Sequence, residues 1–398
     1  MPYTQLNNLD FIEIKTALKD YMRAQTDFTD YDFEGSALSQ LLDVLAYNTY
    51  YTAFNANMVV NEMFLDSATL RDNVVALAKQ LGYTPKSISS PTAEVSFDLT
   101  FLSTAPASVT LKAGTGFVTN YDNTLYRYIV RNDVKVEVSN KVASFNNLIL
   151  NEGSTVLTRT SFDDSIKSQR FRINNPAADL NTLVIRVYQS VGSSVFEEYK
   201  KADSVLDIGS DDKVYFISEV EDEQYEIFFG DNILGKKPVD GEIIEISYIT
   251  TNGSSSNGAK SFLFNGRIED ENNTPISLPF NVSTITTTSK SSGGSDIESI
   301  EKIKFNATKF YGSQNRAVTS NDYSAIVRNL YPSISDIIVF GGEDQVPPEY
   351  GKVFISVKPE EAASLSAFTK SQLTKELRQY TVASVSYTHL RAHETLIY

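Results

Sequence analysis

The stretch Leu81-Gly82-Tyr83-Thr84-Pro85-Lys86-Ser87-Ile88-Ser89-Ser90-Pro91-Thr92-Ala93-Glu94-Val95-Ser96-Phe97-Asp98-Leu99-Thr100-Phe101 marks the point where the chain changes its hydrophobic period. Upstream, Leu70, Val74, Leu77 and Leu81 recur at three and four residues, the spacing of one helix face, and Gly82 with Pro85 stops the helix. Downstream, Val95, Phe97, Leu99 and Phe101 alternate with polar neighbours, the spacing of a strand with one buried face. A helical region therefore gives way to a β-rich one.

Working back from Gly82, a helix is expected from Ser36 to about Glu62, and an earlier one carries Phe11, Ile14, Leu18 and Tyr21 or Met22. The long helix is apolar on two sides. Leu38, Leu42, Leu45, Ala53, Ala56, Val60 and Met63 follow one stripe, with Thr49 as its polar member, its hydroxyl expected to return to the carbonyl four residues back. Val44, Tyr47, Tyr51, Phe54 and Met58 form a bulkier stripe about 200° away at about 100° per residue. Either the flanking helices cover both stripes, or a partner chain covers one. One helical neighbour hides only one side, so Tyr47, Tyr51, Phe54 and Met58 are expected to remain open for a shared bundle.

Working forward, further alternation at Tyr126 to Val130, Val134 to Val138, Leu183 to Val187, Gln224 to Phe229 and Glu242 to Tyr248 extends the antiparallel β region to about residue 290. The last two strands are expected to form a hairpin closed by Gly230 to Gly241. Beyond a Ser/Thr/Gly-rich link, Ser295 with Glu298 fits a capping box for a helix carrying Ile300, Ile303, Ala307 and Phe310. Thr319 with Asp322 fits another, with Val318 stapled to Tyr323. Strands at Ile334 to Phe340 and Lys352 to Val357 and a helix near Ser364 to Tyr380 complete a small α+β unit. The fold class expected is multidomain α+β: a helical region at 1–90, a β-rich domain at 91–290, an α+β domain at 291–385 that is cut short, and a non-native tail at 386–398 that contributes nothing to the fold.

The 398 residues are 41% hydrophobic and 21% charged, a globular composition that suggests two or three domains. Fifty acidic against 35 basic residues give a net charge of −15, which opposes binding to nucleic acid or anionic membranes. There is no cysteine, and both histidines, His389 and His393, lie within ten residues of the C-terminus, so imidazole and thiolate chemistry is absent from residues 1 to 388. No metal site, cofactor, small-molecule substrate or catalytic residue is expected, and neither a signal peptide nor a membrane span is recognised. Gly230 to Lys237 fits G-x4-G-K, yet it runs towards a strand rather than a helix and has Lys237 at the hydroxyl position. The acidic group Asp211, Asp212, Glu219, Glu221, Asp222 and Glu223 motivates a rival reading, a virion-associated or secreted protein that binds or cuts carbohydrate with carboxylates.

Six colinear stretches over residues 30 to 360 resemble the baseplate J-like family, and most closely the wedge subunits of contractile-tailed phages. They are Gly35-Ser36-Ala37-Leu38 with the Leu41 to Tyr47 run, Phe64-Leu65-Asp66-Ser67-Ala68, Leu81-Gly82-Tyr83, Phe229-Gly230-Asp231 with Gly235-Lys236-Lys237-Pro238, Gly293-Gly294-Ser295-Asp296-Ile297-Glu298-Ser299, and Ala317-Val318-Thr319-Ser320-Asn321-Asp322-Tyr323. The resemblance implies a non-enzymatic scaffold in the virion, made in the host bacterial cytoplasm, joining other baseplate wedge proteins and itself around the tail tube. Its motif residues Gly293, Gly294, Asp296, Glu298, Val318, Thr319, Asp322 and Tyr323 are expected to be structural, and its helical bundle makes Leu42, Leu45, Tyr47, Tyr51, Phe54 and Met58 the candidate interface. Ser386 onward resembles translated sequencing-adapter read-through.

Overall fold

The computed structural model describes residues 10–25, 31–202, 208–276, 279–313, 316–331, 334–359, 365, 367–378, 380–381 and 387–392. Its fold class is α+β, with an N-terminal helical region, a central β-rich region and a small C-terminal α+β region. The chain divides into two compact units, Met1–Gly82 with Ile300–Lys304, and Tyr83–Ser299 with Phe305–Tyr398.

The first unit is built on α1 (Phe11–Arg23), α2 (Ala37–Glu62) and α3 (Arg71–Gln80). Asp10 caps α1 by accepting from the Ile12 and Glu13 amides, and Ser36 caps α2 by accepting from Ser39 at 3.0 Å. Gly82, at φ +78°, receives the chain as it leaves α3, a conformation that costs a residue without Cβ little.

In the second unit, Thr92–Phe101 lies in the middle of a sheet, antiparallel to Val142–Glu152 on one side and to Phe280–Val282 and Thr286–Ser292 on the other. Its inward residues Val95, Phe97, Leu99 and Phe101 are buried with Phe117, Tyr128, Phe145 and Leu150. Phe97 stacks on Phe145 at 5.2 Å. A second seven-stranded sheet runs in the order Ser154–Ser161, Ile243–Thr250, Ala178–Tyr188, Phe196–Lys201, Val214–Val220, Gln224–Phe229, Phe171–Ile173.

That order corrects one expectation. Gln224–Phe229 and Ile243–Thr250 share a sheet but are separated by three strands, so residues 230–242 form a crossover and not a hairpin turn. The true hairpin partner of Gln224–Phe229 is Val214–Val220, joined through Glu221–Glu223 with Asp222 and Glu223 at φ +60° and +57°. Two consecutive left-handed residues match strand twist, but the usual sequence signal is Asn-Gly, and here two acids occupy the positions.

The third sheet pairs Ile334–Gly341 with Lys352–Pro359 under α5 (Ser320–Leu330) and α6 (Ala367–Leu377), burying Tyr323, Ile326, Val327, Ile355, Val357, Leu373 and Leu377. Between the sheets and α5 runs α4 (Ile300–Ser313) in chain order. The expected Thr319–Asp322 capping box is present. The expected staple is not: Val318 is 68% exposed, while Tyr323 turns into the core. Tyr387–Ala392 pairs parallel with Lys352–Pro359, which corrects the expectation that this segment takes no part in the fold. An open strand edge bonds through main-chain groups, so any extended segment that reaches it can pair there. Residues 382–386 and 393–398, including His393, lie outside the described residues.

The acidic left-handed turn carries avoidable strain. Replacing Asp222-Glu223 with Asn-Gly should raise stability by ~0.5–1 kcal/mol, read as a higher urea midpoint at unchanged slope.

Candidate assembly surface

Of α2, the buried line is Ser39, Leu42, Ala46, Ala53, Asn57 and Asn61. This is rotated from the stripe expected: Leu42 and Ala53 are buried, Leu38, Ala56 and Val60 half-buried, and Leu45 and Met63 exposed. Small and polar residues take the inner positions, with the Ser39 hydroxyl buried unbonded among the described residues. Asn61 donates to the Asn57 carbonyl at 2.7 Å, and small residues at 39, 46 and 53 admit a close neighbour. Thr49 behaves as expected, donating to the Leu45 carbonyl at 2.9 Å.

Packing against α1 leaves a wide apolar face. Leu45 is 46% exposed, Tyr47 54%, Tyr51 47%, Phe54 44% and Met58 36%, with Leu41, Val44, Val59 and Met63 exposed beside them. The tyrosines form a preset cluster. Tyr47 and Tyr51 meet edge to face at 4.7 Å with their hydroxyls 2.9 Å apart, and Tyr50 and Phe11 extend the ring contacts. The hydroxyl contact with Tyr51 holds the Tyr47 pKa above its usual value. Lys15 on α1 pairs with Asp43 at 2.5 Å, fixing the two helices at one end of the cluster.

At the other end of α2, Glu62 takes over the capping that Leu70 cannot provide for α3. Its carboxylate accepts from the Thr69 amide (2.7 Å), the Thr69 hydroxyl (2.6 Å), the Leu70 amide (3.3 Å) and Asn73 (2.9 Å). Burial alone would raise the Glu62 pKa, but the bonds from Thr69, Asn73 and Leu70 outweigh it and hold the group at about 2.

The Gly293 to Tyr323 motif residues bond inside their own unit. The peptide of Gly294 is gripped by Asn257, whose side chain accepts from its N–H at 3.0 Å and donates to its carbonyl at 2.9 Å. Asp296 accepts from Ser254 Oγ at 3.1 Å. Glu298 is buried and accepts from Tyr83 Oη (2.8 Å), the Lys86 amide (3.0 Å) and Asn306 (2.6 Å). Burial, reinforced by the Glu298 charge, pushes the Tyr83 hydroxyl far up, so it stays a donor. The expected Ser295–Glu298 capping box is absent. Ser295 forms an antiparallel bridge with Ser89, α4 begins only at Ile300, and Ser295 Oγ is buried without a hydrogen-bond partner among the described residues. Gly293, at φ +86°, makes the bend between the strand ending at Ser292 and the bridge at Ser295.

The features that suggested chemistry are used structurally. Within residues 230–237 the amides bond inward: Ile233 and Leu234 donate to Asp231, Asn232 to the Gly235 carbonyl and Lys236 to Asp212, which leaves no cradle for a phosphate. Asp212 accepts from the Gly209 amide, Glu219 is buried in its strand, and Glu221 to Glu223 form the hairpin turn. Among the described residues no group of three or more Asp, Glu, His or Cys is arranged to hold a metal, and no helix is long and apolar enough to cross a membrane.

Residues 10–83 match the family described as baseplate wedge protein gp6-like, helical domain, and residues 319–388 match baseplate structural protein gp6, C-terminal domain I. The chain is similar to a baseplate wedge protein. It is 30% identical over 394 residues to the baseplate wedge protein gp6 of Enterobacteria phage T4, covering 94% of this chain. The chain spans 58% of that relative's length. Two solved baseplates are also similar at low identity: that of the anti-feeding prophage (14% identity, TM-score 0.31, 98% of this chain and 80% of that one) and the TssK-TssF-TssG baseplate subcomplex of the type VI secretion system (7%, TM-score 0.35, 88% and 96%). The matched helical domain contains the exposed face of α2.

Two tests follow from these contacts. Because Glu62 has a folded pKa below its ordinary 4.5, its contribution is complete above about pH 4.5 and is lost as pH falls towards 2. Helical signal should therefore weaken between pH 4.5 and 2, and Glu62→Gln should remove that part of the acid dependence. Around Gly294, an added Cβ would sit 2.5 Å from the Gly253 carbonyl oxygen and 2.8 Å from Pro91. Gly294→Ala should cost about 1–3 kcal/mol, whereas Ser295→Ala, which deletes an unbonded hydroxyl, should be neutral or slightly stabilising in the same denaturation series.

Proposed function

We propose that this protein is a structural, non-enzymatic subunit of a contractile phage tail baseplate, acting as a wedge scaffold in the virion. It works by covering and being covered: the Tyr47, Tyr51, Phe54 and Met58 face of α2, with Leu45 beside it, joins helices of another wedge protein in a shared bundle. Each such side chain left in water forgoes roughly 1.5–3 kcal/mol of burial, so a face of this size favours association. Leu42 supports the face from beneath, packed inside the unit.

The observation that carries this reading is the coincidence of the wedge-like helical match at residues 10–83 with the one long helix whose aromatic face is left uncovered. Burial of Leu42, Ala46 and Ala53 gives α2 a rigid base, and the Tyr47–Tyr51 contact presets the contact surface. The carbohydrate reading lacks comparable support, since its carboxylates are spread over a strand and two turns. Association with further copies of the chain belongs to the same proposal, as does its synthesis in the host bacterial cytoplasm.

Tyr51→Asp with Phe54→Asp should leave the far-ultraviolet dichroism and the β-region unfolding transition unchanged, while abolishing incorporation into tails in a complementation assay. Normal incorporation of a folded double variant would refute the shared bundle, and glycan hydrolysis lost in Asp212→Ala would refute the scaffold-only reading.

A further inference from the structure

In the second unit a cavity of about 560 Å³ opens between the sheet of Thr92–Phe101, the start of Ala178–Tyr188 and α6. Its polar wall is made by Arg131, Asn132, Asn146, Asn147, Asp179 and Glu376. Arg131 is the one cation among the described residues that line it, and it makes neither a hydrogen bond nor an ion pair with any of them. The side-chain amides of Asn132, Asn146 and Asn147 likewise make no hydrogen bond among the described residues. We propose that this cavity binds a carboxylate-bearing segment of another polypeptide, Arg131 taking the carboxylate and the three asparagines bonding the peptide groups beside it.

Two carboxylates share the cavity with Arg131, and neither is bonded to it. Asp179 is 2% exposed and its oxygens are committed to the main chain: Oδ2 accepts from the Ser90 amide at 2.8 Å and Oδ1 from the Asn181 amide at 2.9 Å. Glu376 accepts from Gln372 on its own helix at 3.0 Å. Arg131 is exposed to the cavity but surrounded by protein, and this removal from water lowers its pKa, which the charge of Asp179 offsets only in part. A shielded guanidinium without a bonded anion is unfavourable, and an arriving carboxylate relieves it through two parallel N–H···O bonds.

The same groups select the class of ligand. Nucleic acid or an anionic lipid surface calls for several cations, whereas here one guanidinium stands with two acids on a chain of net charge −15. A single carboxylate needs only the one. Each asparagine carboxamide carries both donors and an acceptor, the complement of a peptide group, which a free small carboxylate does not offer. Tyr331 and Leu373 supply apolar wall for the stem of an Asp or Glu side chain, and the volume lies within the roughly 300–1,000 Å³ of sites that bury compact ligands. Asp179 adds a control. Burial outweighs its hydrogen bonds and raises its pKa to about 6, so it opposes an incoming carboxylate above that pH and is neutral below it. A peptide Glu stays ionised down to about pH 4.3, so binding tightens as pH falls through about 6.

A fluorescein-labelled hexaglutamate peptide, with hexaglutamine as its uncharged match, tests this by fluorescence anisotropy on the full chain at constant salt. On a chain of net charge −15 an acidic peptide gains nothing from the surface at large, so binding reports a local site. The wild-type chain should bind hexaglutamate at least about tenfold tighter than hexaglutamine, and tighter at about pH 5.5 than at about pH 7.5. Arg131→Gln should weaken binding by more than about tenfold with the unfolding midpoint unchanged, because Arg131 has no bonded partner to lose. Arg131→Lys should keep part of the affinity. The site shares no residue with the α2 face, so Tyr51→Asp/Phe54→Asp should bind the peptide as the wild type does, independently of the scaffold role. No binding, equal binding of hexaglutamine, indifference to Arg131→Gln, loss in the α2 variant, or free succinate competing as strongly as the peptide would each overturn it.

Discussion

The buried carboxylate of Glu298 is the constraint from which much of the second unit follows. A charge removed from water must be met by donors, and Tyr83 with the Lys86 amide meet it from one distant segment and Asn306 from the helix that follows. With Glu298 committed there, it cannot also cap α4, and the chain before it is drawn into the bridge between Ser295 and Ser89. Asn257 on the Gly294 peptide and Ser254 on Asp296 extend the same seam. Gly294 is needed because it passes so close to the Gly253 carbonyl that a Cβ has no room, and Gly293 because its φ of +86° is left-handed.

In the first unit the governing constraint is which line of α2 goes inside. A line of Ser, Ala, Leu and Asn lets neighbouring backbone approach, with the Asn61 amide bonded back to the Asn57 carbonyl, so bulk is displaced outward. The outward aromatics are then a consequence of close internal packing. A helix that buried Tyr47, Tyr51 and Phe54 instead would hold its neighbour further away and leave Asn57 and Asn61 in water. The wedge-like scaffold proposed above uses the outcome, and Glu62 keeps the far end of the helix tied to α3.

Periodicity alone determined the existence of the three N-terminal helices, the switch to strands after Pro91, the strand Gln224–Phe229 and the Thr319–Asp322 cap, because each depends on residues within about two turns or one strand of each other. The composition likewise determined that imidazole and thiolate chemistry is missing from residues 1 to 388. Tertiary structure alone decided the rest. Strand order depends on pairings between residues far apart in sequence, so the path from 229 to 243 crosses three strands although it read as a hairpin. The partner of Glu298 lies 215 residues away at Tyr83, beyond any local pattern. The inner line of α2 was invisible because periodicity counts apolar residues, whereas close packing here buries small and polar side chains such as Ser39, Asn57 and Asn61.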